Sequence, residues 1–82
     1  MTREEVRDRL RDFICTKLLR NQSYPLNDDE PLITGGLINS MSVVQIGVFV
    51  EEAFNLYIPD TDLTVEKMDT LAQITDRVME EL

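Results

Sequence analysis

The residues whose types and spacing most directly indicate chemistry run from Gly36 to Met41, as Gly-Leu-Ile-Asn-Ser-Met. This stretch leads into a mostly apolar segment, so the sequence predicts that it delivers Ser40 to the first turn of a helix. Unpaired amide donors and the positive end of the helix dipole favour an anion there by a few tenths to about 1 kcal/mol. Ser40 is therefore a candidate attachment site for a phosphodiester, although a serine at a helix start more often acts only as an N-cap.

Residue types that the chain lacks exclude the commonest catalytic and metal sites. Its 82 residues include a single Cys and no His. A Ser-His or Cys-His nucleophile pair therefore cannot form, and one thiol makes neither an internal disulfide nor the usual zinc cage. We expect that the chain is not an enzyme and that Cys15, beside an apolar helical stripe, is a small buried hydrophobic residue.

The charges are unevenly distributed along the chain, whose formal net charge is −8. Residues 1–20 carry six basic and four acidic side chains, whereas residues 21–82 carry two basic and twelve acidic ones. Such an acidic field repels nucleic acid and anionic membranes, and it attracts basic protein surfaces. We therefore expect protein partners and no nucleic acid. The simpler interpretation is an acidic surface that only maintains solubility.

Apolar residues at helical spacing predict an all-α fold, with three main helices and one short helix in a single domain over residues 1–82. The first helix is predicted over residues 3–20, with Thr2 and Glu5 forming a capping box at its start. The second is predicted from Ser40 to Asn55. Its valines also suit a strand, but no second strand is available to pair with it. Its core-facing residues are expected to be Val43, Ile46, Gly47, Val50 and Phe54.

A long ordered connection over residues 21–39 is predicted between these two helices, because it contains Pro and Gly and has no sustained periodicity. One or two helical turns are expected within residues 62–68, and a last helix follows a cap at Asp69 or Thr70. The apolar residues that are expected to pin the connection to the core are Leu26, Leu32, Ile33, Leu37 and Ile38. The buried stripe of the last helix is predicted as Leu71, Ile74, Val78 and Leu82.

A second apolar row lies on the predicted second helix, away from its core-facing residues, and consists of Met41, Val44 and Val48. Two interpretations are open. The row is either an exposed strip on which a partner docks, or it is partly covered by the long connection.

Three motifs, at their present spacing, resemble the acyl carrier proteins over nearly the whole chain. They are Gly-Leu-Ile-Asn-Ser-Met-Ser-Val-Val-Gln-Ile from residue 36, Glu-Glu-Ala-Phe from residue 51 and Ile-Pro-Asp from residue 58. In that family a serine in an Asp-Ser-Leu or Asp-Ser-Met motif accepts a 4′-phosphopantetheine arm from coenzyme A. The terminal thiol of the arm then holds acyl or aminoacyl groups as thioesters. The resemblance implies that Ser40, between Asn39 and Met41, is the attachment site.

The resemblance also implies a small four-helix bundle of the acyl-carrier-protein type, whose second helix is read by basic patches on partner enzymes. These partners are a phosphopantetheinyl transferase, an acyl- or aminoacyl-loading ligase, and downstream transferase or synthase enzymes. The Ser-Met-x-Val-Val run is more similar to freestanding carriers, including those loaded with D-alanine or other amino acids. The residues that match the docking helix are Met41, Val44, Gln45, Val48, Glu51 and Glu52.

One residue departs from the pattern of the family, because Asn39 stands where most members carry Asp. Asn can still cap a helix, but it removes a negative charge beside the Ser40 hydroxyl. The departure therefore predicts weaker recognition by the transferase.

Two other functions are open at this point. A small acidic adaptor or inhibitor would bind a basic partner noncovalently, with Ser40 only capping a helix. A calcium-binding helical protein would use residues 28–30, or Asp60 with Asp62, but neither cluster has the alternating ligands, central Gly and distal Glu of a helical calcium loop. No stretch approaches the length of a membrane span, so we expect no membrane insertion. A cytoplasmic monomer is the expected form.

Overall fold

Four α-helices and the segments between them make up the chain, and the computed structural model describes all of residues 1–82. A π-helical turn at Ile14–Leu18 continues the first helix, and a 3₁₀ turn at Asp60–Asp62 precedes the third. No strand is present. The prediction of an all-α fold with three main helices and one short helix is confirmed. The helices are α1 (Arg3–Phe13), α2 (Ser42–Phe54), α3 (Val65–Met68) and α4 (Leu71–Glu81).

Capping boxes start α1 and α4, as the sequence predicts for α1 and allows for α4. At α1 the amide of Glu5 donates to Thr2 Oγ1 over 3.2 Å, and the Thr2 amide donates to Glu5 Oε1 over 3.1 Å. At α4 the same reciprocal pair joins Thr70 and Gln73, with both bonds at 3.1 Å. Each box satisfies two amides that the helix itself leaves unpaired, which is why both helices begin where they do.

Two helix boundaries differ from the prediction. The first helix, which consists of α1 and the π-helical turn that continues it, ends at Leu18 rather than at residue 20. The second helix begins at Ser42, so Ser40 lies in the turn that precedes it and not within the helix. At its other end, Asn55 adopts a left-handed conformation with φ of 56°, which stops the helix four residues before Pro59. Asn tolerates this conformation better than most residues.

One cluster of sixteen buried apolar residues forms the core, to which α1, α2, α4 and the long connection all contribute. Four of the five residues predicted to face inward from α2 are buried, and the fifth, Gly47, is half-buried. In the predicted stripe of the last helix, Leu82 is wrong, because it follows the last residue of α4 and is 57% exposed. The buried residues of the connection are Leu26, Leu32 and Ile38, with Ile33 and Leu37 packed against the core, as predicted.

Aromatic stacking joins the end of α1 to α2. The Phe13 and Phe49 rings lie 4.3 Å apart between centroids and nearly parallel, and Phe49 meets Phe54 edge-on at 6.0 Å.

The single cysteine, Cys15, is buried, with its Sγ 3.7 Å from the Tyr24 carbonyl oxygen. Burial raises the pKa of the Cys15 thiol. The prediction that Cys15 is a small buried hydrophobic residue is therefore confirmed.

None of the four helices combines the length and the apolar character that are needed to cross a membrane.

The Phe54 ring tests the assignment of the core. Phe54 is 8% exposed, so Phe54→Ala is expected to lower the free energy of unfolding by about 3–5 kcal/mol through lost burial and the cavity that remains. Chemical denaturation measures this change. Tyr57→Ala is the matched control, because Tyr57 is 66% exposed and the loss of its ring should cost less than about 1 kcal/mol. A cost for Phe54→Ala as small as that of the control would contradict the assigned core face.

Candidate functional site

Ser40 lies at the surface, in the turn between a buried residue and the start of α2. Ile38 is buried, whereas Asn39, Ser40 and Met41 are exposed. The Ser40 hydroxyl makes no hydrogen bond within the chain, and the amide groups of residues 39–41 donate none either. A free hydroxyl and three unpaired amide donors are thus accessible in one turn, at the positive end of a helix dipole.

Asn39 performs the capping function that the sequence assigns to it. Its side-chain oxygen accepts from the Ser42 amide at 3.2 Å, and its backbone oxygen accepts from the same amide at 3.0 Å. Ser40 contributes only its backbone oxygen, which accepts from Val43 at 3.3 Å. The interpretation of Ser40 as the side-chain cap of a helix is therefore wrong, because Asn39 already satisfies the first amide of α2. The Ser40 hydroxyl is left without a structural role.

Two glycines shape the turn that leads to Ser40. Gly36 has a φ of 83°, a conformation that side chains disfavour. A Cβ atom on Gly35 would lie 2.2 Å from the Pro31 carbonyl oxygen, so no larger residue fits there. The turn closes on Leu32, whose carbonyl oxygen accepts from the amides of Leu37 at 2.9 Å and Ile38 at 3.0 Å. This geometry directs Ile38 into the core and leaves Ser40 outside it.

Asp69, between α3 and α4, holds the start of this turn. One carboxylate oxygen accepts from the amides of Ile33 at 2.8 Å and Thr34 at 3.0 Å, and the other accepts from the Thr34 hydroxyl at 2.6 Å. The Asp69 backbone oxygen accepts from the Leu32 amide at 2.7 Å. Burial raises the pKa of Asp69, but hydrogen bonds from Thr34 and Ile33 outweigh it and hold that pKa below its ordinary value of 3.8. Sequence reasoning named Asp69 only as a helix cap and missed this role.

The outer face of α2 carries the second apolar row in the open. Met41 is 72% exposed, Val44 55% and Val48 50%, so the long connection does not cover them. The covered-row interpretation is therefore wrong. Gln45, Glu51 and Glu52 are exposed on the same helix. We call these six residues the α2 face.

A groove lies on each side of the Val44 and Val48 ridge. The larger groove, of about 370 Å³, lies between α2 and the π-helical turn that follows α1. Its lining includes Phe13, Lys17 and Phe49. The smaller, of about 100 Å³, runs between α2 and the segment that contains Tyr57 and Leu63. This segment can approach α2 closely because Gly47 has no side chain. A Cβ atom at Gly47 would lie only 3.0 Å from a methyl carbon of Leu63. The α2 face is thus a ridge of apolar and acidic side chains between two depressions.

The acidic stretch of the chain divides into paired and unpaired groups. Asp28 meets Arg11 at 3.2 Å, and Asp62 meets both Arg77 and Lys67 at 2.8 Å. Hydrogen bonds from Lys67 and Arg77 lower the pKa of Asp62. Basic residues from the two ends of the chain therefore neutralise part of the stretch. The acidic residues between 28 and 66 that have neither an ion pair nor a side-chain hydrogen bond are Asp29, Glu51, Glu52, Asp60 and Glu66.

No group of three Cys, Asp or Glu side chains is arranged so that it could hold a metal ion. The Asp60 and Asp62 pair also cannot act as free calcium ligands, because the Asp62 carboxylate is engaged by Lys67 and Arg77. Comparison with known protein families and with curated proteins finds no match to the chain. The resemblance to carrier proteins therefore rests on the motifs around residues 36, 51 and 58.

The hydrogen bonds of Asp69 predict a pH-dependent stability. Asp69→Asn is expected to lower the free energy of unfolding by about 1–3 kcal/mol at neutral pH, because the bonds to the charged carboxylate weaken. The folded pKa lies below 3.8, so the stabilisation is complete above that ordinary value and is lost as the pH falls through the folded pKa. The difference between the variant and the wild type should therefore shrink in acid.

Urea denaturation at a series of pH values measures this effect. Asp29→Asn is the matched control, since that carboxylate is exposed and makes no ion pair or side-chain hydrogen bond. A difference for Asp69→Asn that stays constant from neutral pH into acid would contradict the assigned interaction.

Proposed function

We propose that this protein is a carrier that holds acyl or aminoacyl groups as thioesters on a 4′-phosphopantetheine arm attached to Ser40. The Ser40 oxygen forms a phosphodiester with the phosphopantetheinyl group of coenzyme A, and the nucleotide part of coenzyme A leaves. The chain itself catalyses no step, because the transferase supplies the chemistry of attachment. The arm then presents its cargo to partner enzymes.

The observation that carries the proposal is the state of the Ser40 hydroxyl. It is exposed, has no hydrogen-bond partner in the chain, and lies beside unpaired amides at a helix start. A serine that only capped the helix would have its hydroxyl engaged by an amide of the first turn. The turn also lies outside the core but is tied to it through Ile38, so an attached arm extends into solvent from a defined base.

The α2 face supports the second part of the proposal, that enzymes with basic patches dock beside the arm. Exposed valines provide an apolar centre, and Glu51 and Glu52 form no ion pair within the chain, although Lys17 lines the same groove as Glu52. Such an arrangement steers a basic surface toward α2 and then buries apolar area on contact. The partners that we infer are a phosphopantetheinyl transferase, a loading ligase for acyl or aminoacyl groups, and downstream transferase or synthase enzymes.

We further infer that the helical bundle is of the acyl-carrier-protein type and acts as a cytoplasmic monomer. Support for the type of bundle comes from the order of the elements, with a long connection before α2 and a short α3 before α4. The motifs that resemble the family fall on this frame in a consistent way. The Gly-Leu-Ile-Asn-Ser-Met run forms the turn before α2, and the Glu-Glu-Ala-Phe run forms its last turn.

A second candidate function is that of a small acidic adaptor or inhibitor which binds a basic partner noncovalently. The α2 face would serve that function equally well, because its exposed apolar and acidic groups require no arm. The two candidates differ in what happens at Ser40, which is inert in an adaptor.

Attachment of the arm is tested by incubating the protein with a broad-specificity phosphopantetheinyl transferase, coenzyme A and Mg²⁺. Intact mass spectrometry is expected to show the gain of one phosphopantetheinyl group on the wild type and none on Ser40→Ala. Ser42→Ala is the matched control two residues away and should still gain the group. An unmodified wild type, or an equal gain on Ser40→Ala, would contradict the carrier and leave the adaptor.

The docking role of the α2 face is tested by replacing Glu51 and Glu52 with Lys. This double variant is expected to raise the KM of the transferase for the protein and to reduce the dependence of the rate on salt, because the attractive field is reversed. Glu4→Lys with Glu66→Lys makes the same change of net charge outside α2 and serves as the control. Equal rates for both double variants across a range of ionic strengths would contradict the assigned surface.

A further inference from the structure

Asp69 and Ser40 are connected by a short and well-defined segment of chain, although they are far apart in sequence. The Asp69 carboxylate accepts three hydrogen bonds from Ile33 and Thr34, and Ser40 follows Thr34 by six residues. We propose that Asp69 and Thr34 form a latch that positions Ser40, so that both are positioning residues for attachment of the arm. This inference rests on the proposed function of Ser40.

The first argument concerns the fixed side of the latch. The Asp69 amide donates to Gln73 Oε1 at 2.9 Å, and Gln73 Nε2 donates back to the Glu66 carbonyl oxygen at 3.2 Å. Gln73 also completes the capping box of α4, and the flanking residues Met68 and Leu71 are fully buried. The junction between α3 and α4 is therefore held by both hydrogen bonds and core packing. Asp69 presents its carboxylate from a rigid base.

The second argument concerns the turn that Asp69 holds, residues 33–36, which one backbone hydrogen bond, from the Gly36 amide to the Ile33 carbonyl oxygen at 3.0 Å, also spans. Thr34, Gly35 and Gly36 are exposed, so no apolar packing holds the tip of the turn in place. Gly36 accepts a conformation with positive φ, and glycine loses more backbone freedom on ordering than other residues. The bonds from Ile33 and Thr34 to Asp69 are thus the side-chain contacts that order the tip. Without them, Leu32 and Ile38 still anchor the segment in the core, and the fold survives with a mobile turn.

The third argument concerns the path from the tip to Ser40. The Leu37 and Ile38 amides both donate to the Leu32 carbonyl oxygen, and the Leu32 amide donates to Asp69 at 2.7 Å. Ile38 is followed directly by Asn39, the residue whose side chain caps α2. The tip and the turn at Ser40 therefore share one anchor, the Leu32 carbonyl oxygen, so freedom gained at Ile33 and Thr34 loosens the bonds that hold Ile38 beside Asn39. A transferase that must meet the hydroxyl in one geometry then finds it in only a fraction of molecules.

Thr34 provides the sharpest test, because it is exposed and its hydroxyl contacts Asp69 directly. Thr34→Val keeps the shape and removes the donor, whereas Thr34→Ser keeps the donor and serves as the conservative rescue. Asp69→Asn is the second disruptive variant. Amide hydrogen exchange should accelerate about tenfold at residues 33–38 in Thr34→Val and Asp69→Asn, as expected for loss of a bond to a charged group, and not in Thr34→Ser. Core amides such as those of Leu10 and Ile74 should accelerate by no more than the loss of global stability that denaturation measures for each variant.

The same variants are assayed with the transferase at a temperature at which circular dichroism shows all of them folded. The KM for the protein should rise several-fold in Thr34→Val and Asp69→Asn while kcat changes little, and Thr34→Ser should match the wild type. If amide exchange at residues 33–38 in Thr34→Val and Asp69→Asn is unchanged, or is accelerated no more than in the core, the existence of the latch is contradicted. Local acceleration with an unchanged KM would overturn its role in positioning Ser40. Failure of the wild type to gain the arm would instead overturn the proposed function, and the exchange rates would still decide whether the latch exists.

Discussion

The attachment of the long connection to the core is the constraint on which the site depends. Residues 19–41 contain no α-helix or strand, so their path is set by a few buried apolar side chains and by hydrogen bonds to Asp69 and Asn39. An exposed serine on an unanchored loop of that length would sample many positions at an entropic cost to any partner. Here it lies between Ile38, buried in the core, and the first turn of α2. The fold thus holds the Ser40 hydroxyl at a small defined platform without enclosing it.

The distribution of charge serves the same arrangement. Arginines of α1 and α4 neutralise Asp28 and Asp62, where the connection and the segment before α3 are tied down. Glu51 and Glu52 form no ion pair, so acidic groups that are not engaged in folding lie on the helix that starts beside Ser40. Charge that contributes to folding is therefore separated from charge that is available to a partner. A surface that only maintained solubility would not require apolar side chains such as Val44 and Val48 to be exposed within it.

Features that depend on neighbouring residues could be predicted from the sequence, and those that join distant residues could not. The capping boxes and the inward stripes of α1, α2 and α4 repeat at helical spacing, which is why they were predictable. The bonds from Thr34 to Asp69 join residues thirty-five positions apart, and nothing local to either residue indicates them. The stacking of Phe13 on Phe49 is hidden for the same reason. The predicted start of α2 at Ser40 is two residues too early, because Ser40 and Met41 form a turn in which the Asn39 side chain accepts from the Ser42 amide, and the sequence does not distinguish such a turn from the first residues of a helix.

The central claim, that Ser40 carries a covalent arm, is tested most directly by mass spectrometry of the protein purified from its own cell. Trypsin releases residues 21–67 as one peptide, because no Lys or Arg lies between Arg20 and Lys67. That peptide is predicted to carry a phosphopantetheinyl group, free or acylated, which fragmentation assigns to Ser40. A peptide that is always unmodified in cells with an active transferase, or a group that maps to Ser23 or Ser42, would contradict the account.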